Sequence, residues 1–184
     1  MNMEQEKFHQ DLLHLRNHGS FFFLGLMGSG KSFWANKLST LTNIPSFHLD
    51  DEIEKAEQKT IAAIFSESGE DYFRQKETEV LQSFSGKNNF ILSVGGGTPC
   101  FNNNMDWMNE NGTTIWIDEP IEIIEKRLLK EKSHRPLIAN VPDENLNGFL
   151  SAMREKRSVF YAKAKYHLSD NINEKKFLEI ISHE

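Results

Sequence analysis

The residues best equipped for chemistry are Gly25-Leu26-Met27-Gly28-Ser29-Gly30-Lys31-Ser32, a complete match to the pattern G-x-x-x-x-G-K-[ST]. The apolar run Phe21-Phe22-Phe23-Leu24 precedes it and predicts a buried parallel strand, while residues 31 to 41 predict the helix that leaves the turn. In that setting the glycines let successive backbone N–H groups point into one concavity, to which the helix N-terminus adds partial positive charge. Such a concavity suits phosphate oxygens. Lys31 would bring a compact positive charge to the terminal phosphates, and the Ser32 hydroxyl one ligand for Mg²⁺. The plainer alternative is a glycine-rich turn that only joins strand to helix; the full pattern and its flanking elements together argue against it.

Other candidates stand further along. Asp50 follows the short strand Ser46-Phe47-His48-Leu49, where a carboxylate at a strand's C-terminal end faces the same crevice as the phosphate loop; an N-cap is its structural alternative. Asp51, Glu52 and Glu54 dress the first turn of the next helix. Gly95-Gly96-Gly97 directly follows the buried strand Phe90-Ile91-Leu92-Ser93-Val94. Three consecutive glycines are costly in chain entropy, so they mark a backbone surface kept open for close approach, or else a flexible turn. Arg74 with Glu77 reads as an ordinary helix-surface pair, and Arg154 with Arg157 as a basic cluster on a helix. Arg135 precedes Pro136 in a polar stretch, residues 130 to 143, that breaks helical periodicity with two prolines.

The elements that must position these groups follow from periodicity. Residues 60 to 85 predict two helices joined at Gly69, and 102 to 111 a helical connection. Thr114–Ile117 predicts a fourth strand, followed by a helix starting at Glu119-Pro120 with Ile121, Ile124, Leu128 and Leu129 inward. Residues 144 to 164 predict a helix with Leu146, Phe149, Leu150, Met153, Val159 and Phe160 available for packing. Tyr166-His167-Leu168 predicts a last strand and 174 to 182 a closing helix. Strands alternating with helices imply an α/β fold with a parallel sheet, right-handed crossovers and helices on both faces. Residues 1 to 20 predict an amphipathic helix or tail; His9, His14 and His18 within it read as solvated rather than as a metal site.

The whole chain narrows the function classes. Its 184 residues suit one domain. The net charge of −6, from 27 acidic and 21 basic residues, offers no general footprint for nucleic acid. No apolar run approaches the ~20 residues that span a bilayer. A single cysteine, Cys100, and no signal-peptide pattern point to a reducing cytosol.

Taken in order, these motifs resemble the shikimate kinases, within the small P-loop kinases. The resemblance covers about residues 21 to 170 and rests on the phosphate loop, Asp50 with Ile53-Glu54, and Ile64-Phe65 with Gly69-Glu70 and Phe73-Arg74. It continues through Leu92-Ser93 with the glycine run, Arg135-Pro136-Leu137, and Arg157 followed by Tyr161. It implies a three-layer α/β/α P-loop kinase fold with a five-stranded parallel sheet, order 2-3-1-4-5. One kinase domain would span 1–184, with an N-terminal extension at 1–20, a substrate-binding region at 50–85 and a lid at 130–143. ATP would be held by Gly28, Ser29, Gly30, Lys31, Ser32, Phe33 and Arg135, with Mg²⁺ on Ser32 and Arg127 near the adenine by analogy. Shikimate would be held by Asp50, Arg74, Gly96, Gly97 and Arg157, with Lys31, Asp50 and Arg135 catalytic. The implied enzyme is a cytoplasmic monomer without nucleic-acid or membrane partners. Where the family usually presents Asp-x-Asp, this chain has His48-Leu49-Asp50. A kinase of another small hydroxy acid, gluconate-like, and a non-catalytic nucleotide-binding module are the alternatives.

Overall fold

The computed structural model describes residues 19–132, 136–169, 172, 173 and 177. All of the expected N-terminal extension but Gly19 and Ser20, Arg135, and all of the expected closing helix but Phe177 lie outside the described residues. In chain order the elements are β1 (Phe21–Leu24), α1 (Lys31–Thr42), β2 (Ser46–His48), α2 (Leu49–Glu57), α3 (Ile61–Gln82), β3 (Ile91–Ser93) and α4 (Asn104–Asn111). They continue as β4 (Thr113–Asp118), α5 (Ile121–Glu131), α6 (Pro136–Ala139), α7 (Leu146–Tyr161) and β5 (Tyr166–Ser169), with 3₁₀ turns at Thr98–Cys100 and Asp143–Asn145. The five strands form one parallel sheet in the order β2-β3-β1-β4-β5, with helices against both faces.

β1 is central because every one of its residues is apolar and both of its faces are covered. Phe21 and Phe23 point into one core with Trp34, Leu38 and Ile115, while Phe22 and Leu24 point into the other with Leu49, Phe73 and Leu150. The alternation follows from the two-residue period of a strand. On one side α1 closes the sheet through Trp34, whose ring stacks on Phe177 at 4.8 Å. On the other, α2 packs on α3 and α7 on α5, and α2, α3 and α7 carry the charged residues of interest.

Local signals set most boundaries. Thr60 caps α3 by accepting from the Ala63 N–H at 3.2 Å. Gly69 breaks the helical path with φ 80° and ψ 178°, so α3 is two helices joined at Gly69, as expected, the second redirected by the break. Asn43, at φ 57°, ends α1.

Several expectations are corrected. Leu49 belongs to the first turn of α2 rather than to the preceding strand; Asp50 follows it in that turn, and the cap position is His48. Leu129 and Val159 face solvent, 41% and 65% exposed, since each falls one position off its helix's buried stripe. The polar stretch after α5 is not wholly irregular: α6 forms there, and Ile138 is fully buried in the core.

Gly25, the residue after β1, makes a tight backbone crossing against β4. Its φ is +140°, and a Cβ there would lie 2.4 Å from the carbonyl oxygen of Ile117 on β4. Only a main-chain shift could relieve that contact. Gly25→Ala is expected to cost at least about 3 kcal/mol, which lowers Tm by about 6–12 °C in a chain of this size. Thermal unfolding monitored by circular dichroism checks this; an unchanged midpoint would refute it.

Candidate active site

The loops that leave β1 and β3 lie side by side because those strands pair, Phe23 against Ser93. Between them and the start of α2 opens a cavity of about 720 Å³, lined among others by Lys31, Ser32, Asp50, Gly95, Gly96 and Arg127. Its size suits a nucleotide-scale ligand. It lies outside the carboxyl ends of the strands, where ligands bind in open α/β sheets.

The phosphate loop is braced from below and behind. Leu128 and Ile124 of α5 pack under Gly28, where an added Cβ would come within 3.0 Å of Leu128. Arg127, on the same helix, donates to the Gly28 carbonyl at 3.0 Å and pairs with Glu119 at 3.2 Å. Lys31 is buried, its ammonium donating to the Leu26 carbonyl at 2.8 Å. Ser29 Oγ is buried with no hydrogen-bond partner among the described residues. Ser32 Oγ lies 3.3 Å from Ser93 Oγ, at the β3 side of the cavity. Phe33 is 64% exposed and meets Trp34 edge-on at the cavity rim.

Asp50 lines the same cavity as Lys31, with Asp51 and His48. Burial pushes its carboxyl above the usual carboxylate range; Lys31 and Arg74 pull it back, and Asp51 and Glu54 push it further up. Burial wins because desolvation penalises the charged form more than two nearby cations favour it.

The glycine run is where the remaining groups meet. At Gly97 an added Cβ would fall 2.8 Å from the Arg74 guanidinium; at Gly96 it would fall 3.0 Å from Arg157 Nη1; at Gly95 it would fall 3.0 Å from Glu77 Oε1 and 3.5 Å from Asp50 Oδ1. None of the three glycines has the left-handed φ that side chains avoid. They are needed for close approach, and what approaches is this chain's own charge. Tyr161 of α7 donates its hydroxyl to the Gly96 carbonyl at 2.5 Å, and burial raises its phenol far above the ordinary value.

Glu77 was not legible as a site residue. Its spacing from Arg74 suggests a solvated pair, but Glu77 is 1% exposed and Arg74 12%. The pair meets at 2.8 Å, and Thr98 Oγ1 donates to the same carboxylate at 2.5 Å. Burial raises the Glu77 carboxyl, against the pull of Arg74 and the Thr98 hydrogen bond. Glu70 holds the other edge of the guanidinium at 3.0 Å, and the Phe101 ring covers its face at 4.3 Å. The one signal in the sequence was Thr98, a hydroxyl placed just after the glycines. Of the expected site residues, the structure therefore brings together Lys31, Ser32, Asp50, Arg74, Gly96, Gly97 and Arg157, with Phe33 at the rim. Gly28, Ser29 and Gly30 lie in the phosphate loop.

A parallel 2-3-1-4-5 sheet with a phosphate loop after its central strand and a charged acceptor pocket beside it defines a P-loop kinase. The shikimate kinase family model matches residues 27–183. Shikimate kinase of Phocaeicola vulgatus is 36% identical over 86% of this chain and 91% of its own length, and that of Persephonella marina 38% identical over 82% and 88%. Among solved structures, shikimate kinase from Bacteroides thetaiotaomicron superposes with a TM-score of 0.79 at 32% identity, over 89% of this chain and 93% of that one. Shikimate kinase from Acinetobacter baumannii in complex with shikimate gives 0.80 at 27% identity, over 92% and 94%. The chain belongs to the shikimate kinase family, and it is an ATP-dependent kinase.

Because the native Asp50 carboxyl is raised above its unfolded value near 3.8, its ionisation works against folding. That penalty is absent below the unfolded value, builds as pH rises toward the raised native value, and is constant above it. Asp50→Asn is therefore expected to melt higher than the parent at pH 8, with the difference closing as pH falls toward 4. Paired melting curves across that range check the sign; a variant that melts lower at pH 8 would contradict it.

Proposed function

We propose that the protein transfers the γ-phosphoryl group of ATP to the 3-hydroxyl of shikimate, giving ADP and shikimate 3-phosphate. The observation that carries this reading is the convergence of Asp50, Arg74 and Arg157 on one turn of bare backbone, Gly95 to Gly97, beside the Lys31 loop. Two guanidiniums fix an anion, and one carboxylate selects and orients a hydroxyl. That combination fits a small acidic alcohol.

Phosphoryl transfer asks little covalent chemistry of a protein and much positioning, since charge spreads over the phosphoryl oxygens in a loose transition state. In this reading Asp50 accepts the hydrogen bond of the attacking hydroxyl, so that its lone pair faces the nucleotide. Arg74 and Arg157 clamp the acceptor's carboxylate, and Glu77 with Thr98 holds Arg74 in place for it. Gly96 and Gly97 let the ring lie against the main chain. Lys31 meets the charge on the transferring group, and Arg135, within the 130–143 lid, supplies a second cation as the lid closes.

A divalent ion, when bound, would supply positive charge against the charge that develops on the phosphates. The donors near the phosphate loop fit such an ion: Ser32 Oγ, with Ser93 Oγ and the Asp50 and Asp51 carboxylates on the same wall, are all hard oxygens. Among the described residues no group of three or more His, Cys, Asp or Glu forms a closed metal cage. Mg²⁺ held by Ser32, water and the nucleotide itself is the arrangement this donor set supports. His48 leaves the ion without a second carboxylate from that position. No helix among the described residues is long and apolar enough to cross a membrane; the protein is read here as a cytoplasmic monomer forming a single domain.

Two measurements test the assignment. ADP release from MgATP is expected to rise strongly on adding shikimate and to stay at background with gluconate; release with gluconate alone would redirect the acceptor assignment. Arg74→Ala is expected to raise the shikimate KM on the order of 10²-fold, the loss typical of a desolvated charge pair, while the ATP KM stays close to the parent's. An unchanged shikimate KM would count against the acceptor site.

A further inference from the structure

Asp118, the last residue of β4, has no part in the roles above, yet its side chain is only 7% exposed. Its Oδ2 accepts from Arg154 Nη2 on α7 at 2.6 Å and lies 2.9 Å from His167 Nε2 on β5. The imidazole is itself held. It stacks flat on Trp116, its register partner across β4 and β5, with ring centroids 4.0 Å apart and planes 6° from parallel. The carboxylate is thus rigid on the sheet side, and Arg154 joins it to the helix.

Residues 154, 157 and 161 are spaced i, i+3 and i+7, so they share one face of α7. Arg157 sits between two anchors on that face. One is the Arg154 pair with Asp118; the other is the Tyr161 hydroxyl on the Gly96 carbonyl. Two anchors a little under two turns apart set the helix both along its axis and about it. Buried Leu146 and Leu150 seat the N-terminal half of α7 in the core, and the two anchors set its C-terminal half, where Arg157 stands. The guanidinium of Arg157, long and rotamer-rich, gains its direction from how the helix backbone is set.

We propose that Asp118, acting through Arg154, is a positioning residue for Arg157, holding that guanidinium over the glycine turn where the acceptor's carboxylate binds. This rests on the reading of Arg157 as a carboxylate-binding group. A displacement of about 1 Å is enough to cost a well-aligned site much of its effect, and the Asp118 contact ties α7 to the C-terminal end of β4, as the Tyr161 contact ties it to the turn after β3. The neighbouring Glu119 braces the phosphate loop through Arg127. Two successive carboxylates at the end of one strand thus serve the two halves of the cleft separately, Asp118 the acceptor side and Glu119 the nucleotide side.

The test is a double-substitution cycle read by shikimate calorimetry and steady-state kinetics, using Arg154→Gln, Arg154→Lys, Asp118→Asn, Arg157→Ala and the Arg154→Gln/Arg157→Ala pair. Arg154→Gln is expected to weaken shikimate binding about tenfold, equivalent to about 1.4 kcal/mol, with kcat within about twofold and the ATP KM unchanged. Arg154→Lys should recover part of the loss, and Asp118→Asn should shift the shikimate KM in the same direction as Arg154→Gln. Once Arg157 is gone, Arg154→Gln should cost nothing further, because a residue that acts only through another has no separate effect. Additive losses in the double variant would overturn the proposal, as would parallel falls in kcat and in affinity for both substrates. If Arg157→Ala weakens binding and Arg154→Gln does not, the positioning role alone is refuted. If Arg157→Ala leaves shikimate affinity intact, the acceptor-site reading fails first and the positioning role with it.

Discussion

Charge brought out of water around side-chain-free backbone is the constraint on which this structure turns. Asp50, Glu77, Arg74, Arg157 and Lys31 gather about Gly95–Gly97 and the phosphate loop, and both carboxyls are displaced upward by burial. Removing an ion from water costs several kcal/mol unless a partner meets it in direct contact. Side chains at 96 and 97 would occupy the space that the two guanidiniums fill, leaving each cation buried without its present surroundings. The entropic cost of three glycines is therefore offset by contacts that no other residue type would permit.

Everything around that turn can be understood as delivering groups to it. β1 and β3 bring the two loops together at one edge of the sheet, and α2 begins at the same edge with Asp50 in its first turn. The bend at Gly69 aims the second half of α3, with Arg74 and Glu77, back toward the turn. α7 arrives from the other side, anchored through Arg154 and Tyr161. The opposite face of the sheet is left to apolar packing, through Trp34, Leu38 and Phe177 against Phe21 and Phe23. A rigid apolar half thus supports a half in which charge is concentrated.

Much of this was legible in the chain because the signals were local. Eight residues specify the phosphate loop, the run of apolar residues before it specifies a doubly covered strand, and Gly69 specifies a break. Legibility failed where meaning depended on tertiary surroundings. Glu77 three residues after Arg74 has the same spacing as any solvated helix pair, and only the packing of α3 against the Thr98 turn takes it out of water. Asp118 and Arg154 are 36 residues apart and share no pattern. Asp50 was legible at the carboxyl end of the sheet, but Leu49 before it fell in the helix rather than the strand, because one residue at a boundary is decided by capping rather than by periodicity.

The site also explains why the chain keeps arrangements that do not favour folding. An ionised Asp50 opposes the native state wherever pH exceeds its raised pKa, and the two cations nearest to it do not fully compensate. A carboxyl with an upward-shifted pKa is a better acceptor for a hydroxyl proton than an ordinary surface carboxylate, since its charged form is less well solvated. In the proposed reading, binding a nucleotide and an acidic alcohol would displace further water, which would strengthen the attraction of Lys31 and Arg74 for the anions. In that reading, the anions of nucleotide and acceptor would add to the carboxylates that Arg74 already meets, and a hydroxyl donor at Asp50 would favour its charged form, opposite in sign to the effect of burial.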